Sequence, residues 1–144
     1  MTEKITLSIV SLIMFIFTLT KGDKWSIILT SGLTIGILIT WIGIPIIFTS
    51  GILIYMLTAL IILISNAKSK EHTTLKKTTL ILSGIWGFIP NLFSIMHWPF
   101  ANEIRLSMII PITCYLIYLL FGKKMKELGY LTIINIDFLL RLIV

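Results

Sequence analysis

Charge is what this chain has least of. Only 12% of its 144 residues are charged, six acidic against twelve basic, while 57% are hydrophobic and the mean hydropathy is +1.04. A water-soluble domain carries about 25% charged residues, because polar surface has to cover its core. The composition therefore excludes a soluble fold and indicates a membrane protein, with no room for a separate soluble domain. Cysteine is almost absent too. Cys114 alone rules out an intramolecular disulfide and any CxxC metal pair, and within an apolar run it reads as a small buried hydrophobe. With two histidines, His72 and His97, and no paired carboxylates, neither a nucleophile–base–orienter set nor a metal-ligand cluster can be assembled; no enzyme and no cofactor is expected. The net charge of +6 does not point to nucleic acid, since the lysines sit in short clusters between apolar runs, not along one helix face.

What is present is a series of apolar runs. Met1-Thr-Glu-Lys4 leads into the first, which lacks a small-x-small cleavage site before Lys21-Gly-Asp-Lys24 and is expected to be retained as a span. From Trp25 to Ser65 no residue is charged. At about 1.5 Å per residue that stretch is roughly twice the hydrocarbon thickness and must cross twice. The turn is expected between Gly43-Ile-Pro45 and Thr49-Ser-Gly51, where proline disfavours helix before it and glycine frees the backbone. The predicted architecture is an all-α, polytopic transmembrane helix bundle forming a single domain over 1–144, with spans near 5–20, 25–44, 46–65, 79–96, 106–121 and 128–143. Six spans are expected, or five if the last run, which contains Asn135, Asp137 and Arg141, does not cross.

With six spans, the loops holding Lys21/Lys24, Lys68/Lys70/Lys76/Lys77 and Lys123/Lys124/Lys126 share one side, and only Lys4 and Arg105 lie opposite. The positive-inside rule assigns the lysine loops to the cytoplasm, with the chain in a bacterial inner membrane and the His97–Arg105 turn on the periplasmic side. Trp41-Ile-Gly-Ile-Pro45-Ile-Ile-Phe48 and Trp86-Gly-Phe-Ile-Pro90-Asn-Leu-Phe93 repeat Trp, Ile, Pro and Phe at one spacing, as a duplicated hairpin would.

Three groups of residues are candidates for function. Gly32, Gly36 and Gly43 form a small-residue face suited to close helix packing, within the chain in preference to dimerisation. Pro90, Asn91, Asn135, Asp137 and Arg141 are a candidate intramembrane polar site: Asp137 and Arg141 stand one helical turn apart, and Pro90 with Asn91 can open a helix. His97, Trp98, Pro99, Asn102, Glu103 and Arg105 form a candidate interaction turn. They also read simply as an interfacial anchor, a helix stop and a capped helix start.

Phe93-Ser-Ile-Met96-His97-Trp98-Pro99-Phe-Ala101 resembles the Lys-Ile-Met-His-Trp-Pro-Gly-Ala signature in the membrane hairpin of GldL-type gliding-motility proteins, and of related small membrane proteins of Bacteroidota. Phe93, Met96, His97, Trp98, Pro99 and Ala101 fit; Ser94 replaces the lysine and Phe100 the glycine. The resemblance covers about residues 80–121 and implies two spans flanking a periplasmic turn, in the lineage of the type IX secretion and gliding machinery. The family's second span carries a glutamate linked to proton coupling where this chain has an apolar residue, about Ile112, so the motor role does not carry over. The expected role is a non-enzymatic accessory subunit in contact with the bilayer and other membrane subunits. The alternatives are a small transporter or channel using the polar site, and a membrane immunity protein.

Overall fold

The computed structural model describes residues 2–68, 74–96, 101–121 and 126–143. Among these residues the regular structure is all helical: α1 (Thr2–Lys21), α2 (Lys24–Ile39), α3 (Pro45–Lys68), α4 (Thr74–Met96), α5 (Ala101–Leu106), α6 (Ile109–Phe121) and α7 (Leu128–Ile143).

The first helix is built inside out relative to a soluble amphipathic helix. Ser8, Ser11 and Thr18 are buried, whereas Ile9, Ile13 and Ile16 are more than half exposed. In water that arrangement would be costly. In lipid, helices gain nothing by hiding isoleucine from hydrocarbon, and small polar residues let backbones approach. The stretches Thr2–Lys21, Pro45–Ala67 and Glu103–Phe121 are long and apolar enough to cross a membrane. At 16 residues each, α2 and α7 are about 24 Å long, short of a hydrocarbon core of about 30 Å.

Several boundaries differ from expectation, each for a local reason. The second helix stops at Ile39 and not at 44, because the N–H groups of Thr40, Trp41 and Ile42 tighten onto the carbonyls three residues back at 3.1 Å, and the Thr40 hydroxyl donates to Ile37 O at 2.6 Å. Pro45 is the first residue of α3, where its missing N–H has no partner to lose. Thr49, Ser50 and Gly51, expected in the turn, lie inside α3. The Thr49 and Ser50 hydroxyls donate to the carbonyls of Pro45 and Ile46 and so satisfy their polarity along the helix. Near Pro90 the fourth helix does not open but runs continuously to Met96. The fifth expected span is interrupted at Ser107-Met108, since the Pro111 ring would clash with the carbonyl four residues before it in an unbroken helix. The two Trp-x-x-x-Pro stretches are not structural equivalents: Trp41 lies in the turn after α2 and Pro45 opens a helix, while Trp86 and Pro90 are both inside α4.

The helices pack in the order α1, α2, α3, α4, α6, with α7 closing the bundle against α1, α2, α4 and α6. The last helix is its centre. Gly129, Tyr130, Leu131, Ile133, Ile134, Asn135, Asp137 and Phe138 are all buried, covering nearly every direction around the axis. Its entry is close: a Cβ on Gly129 would lie 2.0 Å from Thr18 Oγ1, so glycine is needed there for α7 to pass α1.

Lys21, Lys24, Lys76 and Lys126 gather at one end of this bundle. At that end Lys76 pairs with Glu127 at 2.5 Å, and Asp23 caps α2 by accepting a hydrogen bond from Ser26 N at 2.9 Å. Hydrogen bonds from the Ser26 hydroxyl and N–H, with Lys126 nearby, hold the Asp23 carboxyl below its ordinary 3.8. The folded state thus binds this proton less well than the unfolded chain, so the cap contributes fully above pH 3.8 and is lost as pH falls through the lowered value. Asp23→Ala is expected to cost about 1 kcal/mol at neutral pH, with the gap to the parent closing below pH 3.8 in detergent melts.

Candidate functional site

At the opposite end, four side chains from three helices form one connected network. One turn of α7 separates Asp137 and Arg141, and Arg141 Nε donates to Asp137 Oδ1 at 3.0 Å. The other carboxylate oxygen accepts from Tyr55 Oη of α3 at 3.1 Å. Arg141 Nη2 donates to Asn91 Oδ1 of α4 at 2.9 Å, and Asn91 Nδ2 donates back to Gly87 O at 2.9 Å. The Asp137 side chain is only 8% exposed and that of Arg141 32%. A buried carboxylate is tolerated when both oxygens are engaged and a cation is adjacent, as here.

Glycines set the positions of these groups. A Cβ on Gly36 would lie 3.0 Å from Gly51 O and from Tyr55 N, and one on Gly51 would lie 2.8 Å from Gly36 O. The backbones of α2 and α3 therefore cross in near contact one turn before Tyr55, and that crossing sets the tyrosine's reach to α7. On the other flank Gly87 faces the Ala59 side chain, bringing Asn91, one turn further along α4, to the arginine. Gly32 likewise meets Thr58, so Gly32 and Gly36 both pack within the chain; Gly43 lies beyond α2 with nothing within 4 Å and is no part of that face.

The network forms one wall of a cavity of about 270 Å³. Glu3 and Lys4 of α1 also line it, with Lys4 5.0 Å above the Phe48 ring, and Leu7, Ile37, Ile52 and Leu140 supply apolar walls.

Of the polar residues singled out from sequence, Asn91, Asp137 and Arg141 come together. Asn135 does not join them: its amide donates to Ser83 Oγ at 3.2 Å and Leu131 O at 2.9 Å, and its Oδ1 is buried without a hydrogen-bond partner among the described residues. Pro90 precedes Asn91 but does not line the cavity. In the candidate interaction turn, His97, Trp98 and Pro99 lie outside the described residues, as does the side chain of Asn102. Glu103 and Arg105 fall in the first and last turns of α5, and neither lines the cavity. The residue that sequence reasoning missed is Tyr55. Its signal was a hydroxyl in the middle of a charge-free run, since a buried tyrosine O–H needs a partner. Among the described residues no group of three or more His, Cys, Asp or Glu side chains could hold a metal ion.

Comparison with protein-family models, with curated proteins and with solved structures found no match.

Proposed function

We propose that the chain is a non-enzymatic accessory subunit of an inner-membrane complex, a six-span protein that acts by helix packing and by its periplasmic-side 97–105 turn. The observation behind this reading is the closure of the interior charges. Both oxygens of Asp137 are taken, and Arg141 is tied to Asp137 and Asn91, so the groups fasten α3, α4 and α7 together in place of forming an open relay. The GldL-like Met96–Ala101 stretch gives the same direction: membership of an envelope assembly without the motor's acidic residue. Affinity purification of the tagged chain from cells at native expression level tests this. A stoichiometric partner or a defined self-assembly is expected, and a lone monomer would remove the reading.

A second reading, a small transporter or channel, is favoured by one observation, the cavity that reaches Asn91, Asp137 and Arg141. It requires solute flux in proteoliposomes that falls in Asp137→Asn and Asn91→Ala variants; flux equal to the parent's in both would eliminate it.

The proposed orientation puts the Lys21, Lys76 and Lys126 end in the cytoplasm. With Cys114, which is a free thiol, replaced by alanine, a cysteine at Lys24 or Lys126 is expected to react with a membrane-impermeant maleimide only after the inner membrane is permeabilised. One at Asn102 should react in intact spheroplasts. The opposite pattern would invert the orientation.

A further inference from the structure

The cavity at the Glu3/Arg141 end holds more charge than the bundle's own stability uses. Asp137 is consumed internally, but Arg141 employs only Nε and Nη2, and its Nη1 makes no hydrogen bond among the described residues. Lys4 lies over the Phe48 ring face, and Glu3 acts electrostatically on Arg141 but makes no salt bridge among the described residues. The cavity thus presents cationic groups from Lys4 and Arg141 beside the Glu3 carboxylate, against apolar walls that include Phe48 and Ile52. Charges of both signs around one hollow match a ligand that carries both.

We propose that this cavity binds a compact zwitterion, an acidic phosphate or carboxylate joined by a short apolar linker to a primary ammonium. The acidic group accepts charge-assisted hydrogen bonds from Arg141 and Lys4, the linker lies against Phe48 and Ile52, and the ammonium donates to Glu3. A volume of about 270 Å³ is room enough for a phosphoethanolamine headgroup or a small amino acid. A trimethylated ammonium has no N–H to donate, so choline compounds should be discriminated against. The ligand can come from a lipid headgroup, with its chains left in the bilayer, or from a free solute. This inference stands apart from the accessory-subunit reading, since a site can be occupied whether or not a partner protein is found.

Native mass spectrometry of the full chain, released from detergent and titrated in separate arms with phosphatidylethanolamine, phosphatidylcholine, phosphoethanolamine and leucine, tests it. At least a tenfold preference for phosphatidylethanolamine over phosphatidylcholine is expected, falling at least tenfold in Glu3→Gln and in Lys4→Met. Neither side chain hydrogen-bonds to the Tyr55–Asp137–Arg141–Asn91 network, and both variants should lower the melting temperature far less than Arg141→Met does. Binding in the lipid arm alone identifies a headgroup site; binding of phosphoethanolamine or leucine as well identifies a site for free zwitterions, and both results support the proposal. Equal retention of ethanolamine and choline lipids with no binding of either solute would overturn it, and so would unchanged affinity in both rim variants.

Discussion

Arg141→Met is expected to destabilise the protein more than any other single change in the polar network, by roughly 3 kcal/mol, read as a fall of about 10 °C in the apparent melting temperature in detergent. The substitution keeps the aliphatic bulk but leaves Asp137, 8% exposed, with only the Tyr55 hydroxyl for company. Removing one member of a buried pair typically costs about 3–5 kcal/mol, because the remaining charge is stranded in a poor solvent. The lower end applies here, since the cavity that exposes a third of Arg141 also admits water to the site. Tyr55→Phe removes one charge-assisted hydrogen bond and should cost less, about 1.5–2 kcal/mol. The double variant Asp137→Leu/Arg141→Met removes both charges and should recover most of the loss, as replacing a whole buried pair by apolar residues often does. A melting temperature for Arg141→Met equal to the parent's, or a double variant worse than either single, would show that the pair does not hold the bundle together.

That network marks where the sequence was readable and where it was not. The i,i+4 spacing of Asp137 and Arg141 put both on one helical face, and an ion pair across one turn needs only local geometry. The Asn91 contact spans 50 residues of chain and the Tyr55 contact 82. Nothing in a single sequence sets the crossing geometry that creates them. The same limit explains the misplaced turn. Thr49-Ser-Gly51 has turn composition, but in a low-dielectric setting Thr and Ser can bond to their own helix, and glycine serves as an access point for a neighbour in place of a hinge. Composition was most informative where one physical cause dominates, as in the all-helical architecture. It was least informative for the packing of α7: Asn135, Asp137 and Arg141 marked it as polar, and nothing in the sequence showed that α7 is central and that its neighbours offer these side chains partners.

The second large effect is expected at the α2/α3 crossing. Gly51→Leu should lower stability by about 3 kcal/mol or more, although leucine is intrinsically a better helix former than glycine. Two of the three atoms nearest a Cβ at this position are backbone, Gly36 O at 2.8 Å and Thr40 N at 3.0 Å, and a backbone atom cannot rotate aside as a side chain would. The helices must separate. Gly51→Ala makes the same demand with one methyl and should cost less, about 1–2 kcal/mol after its helix-propensity gain, whereas Gly43→Ala, with nothing within 4 Å, should leave the melting temperature unchanged or slightly raised. The separation has a consequence at the polar site. Tyr55 lies one turn beyond Gly51 on α3, so moving α3 draws its hydroxyl away from Asp137. Contacts sharing an element are not additive: in the Gly51→Leu background Tyr55→Phe should cost well under half of what it costs in the parent. If the two losses simply add, the glycine crossing and the tyrosine contact are independent, and α3 is positioned by its packing on α4 instead.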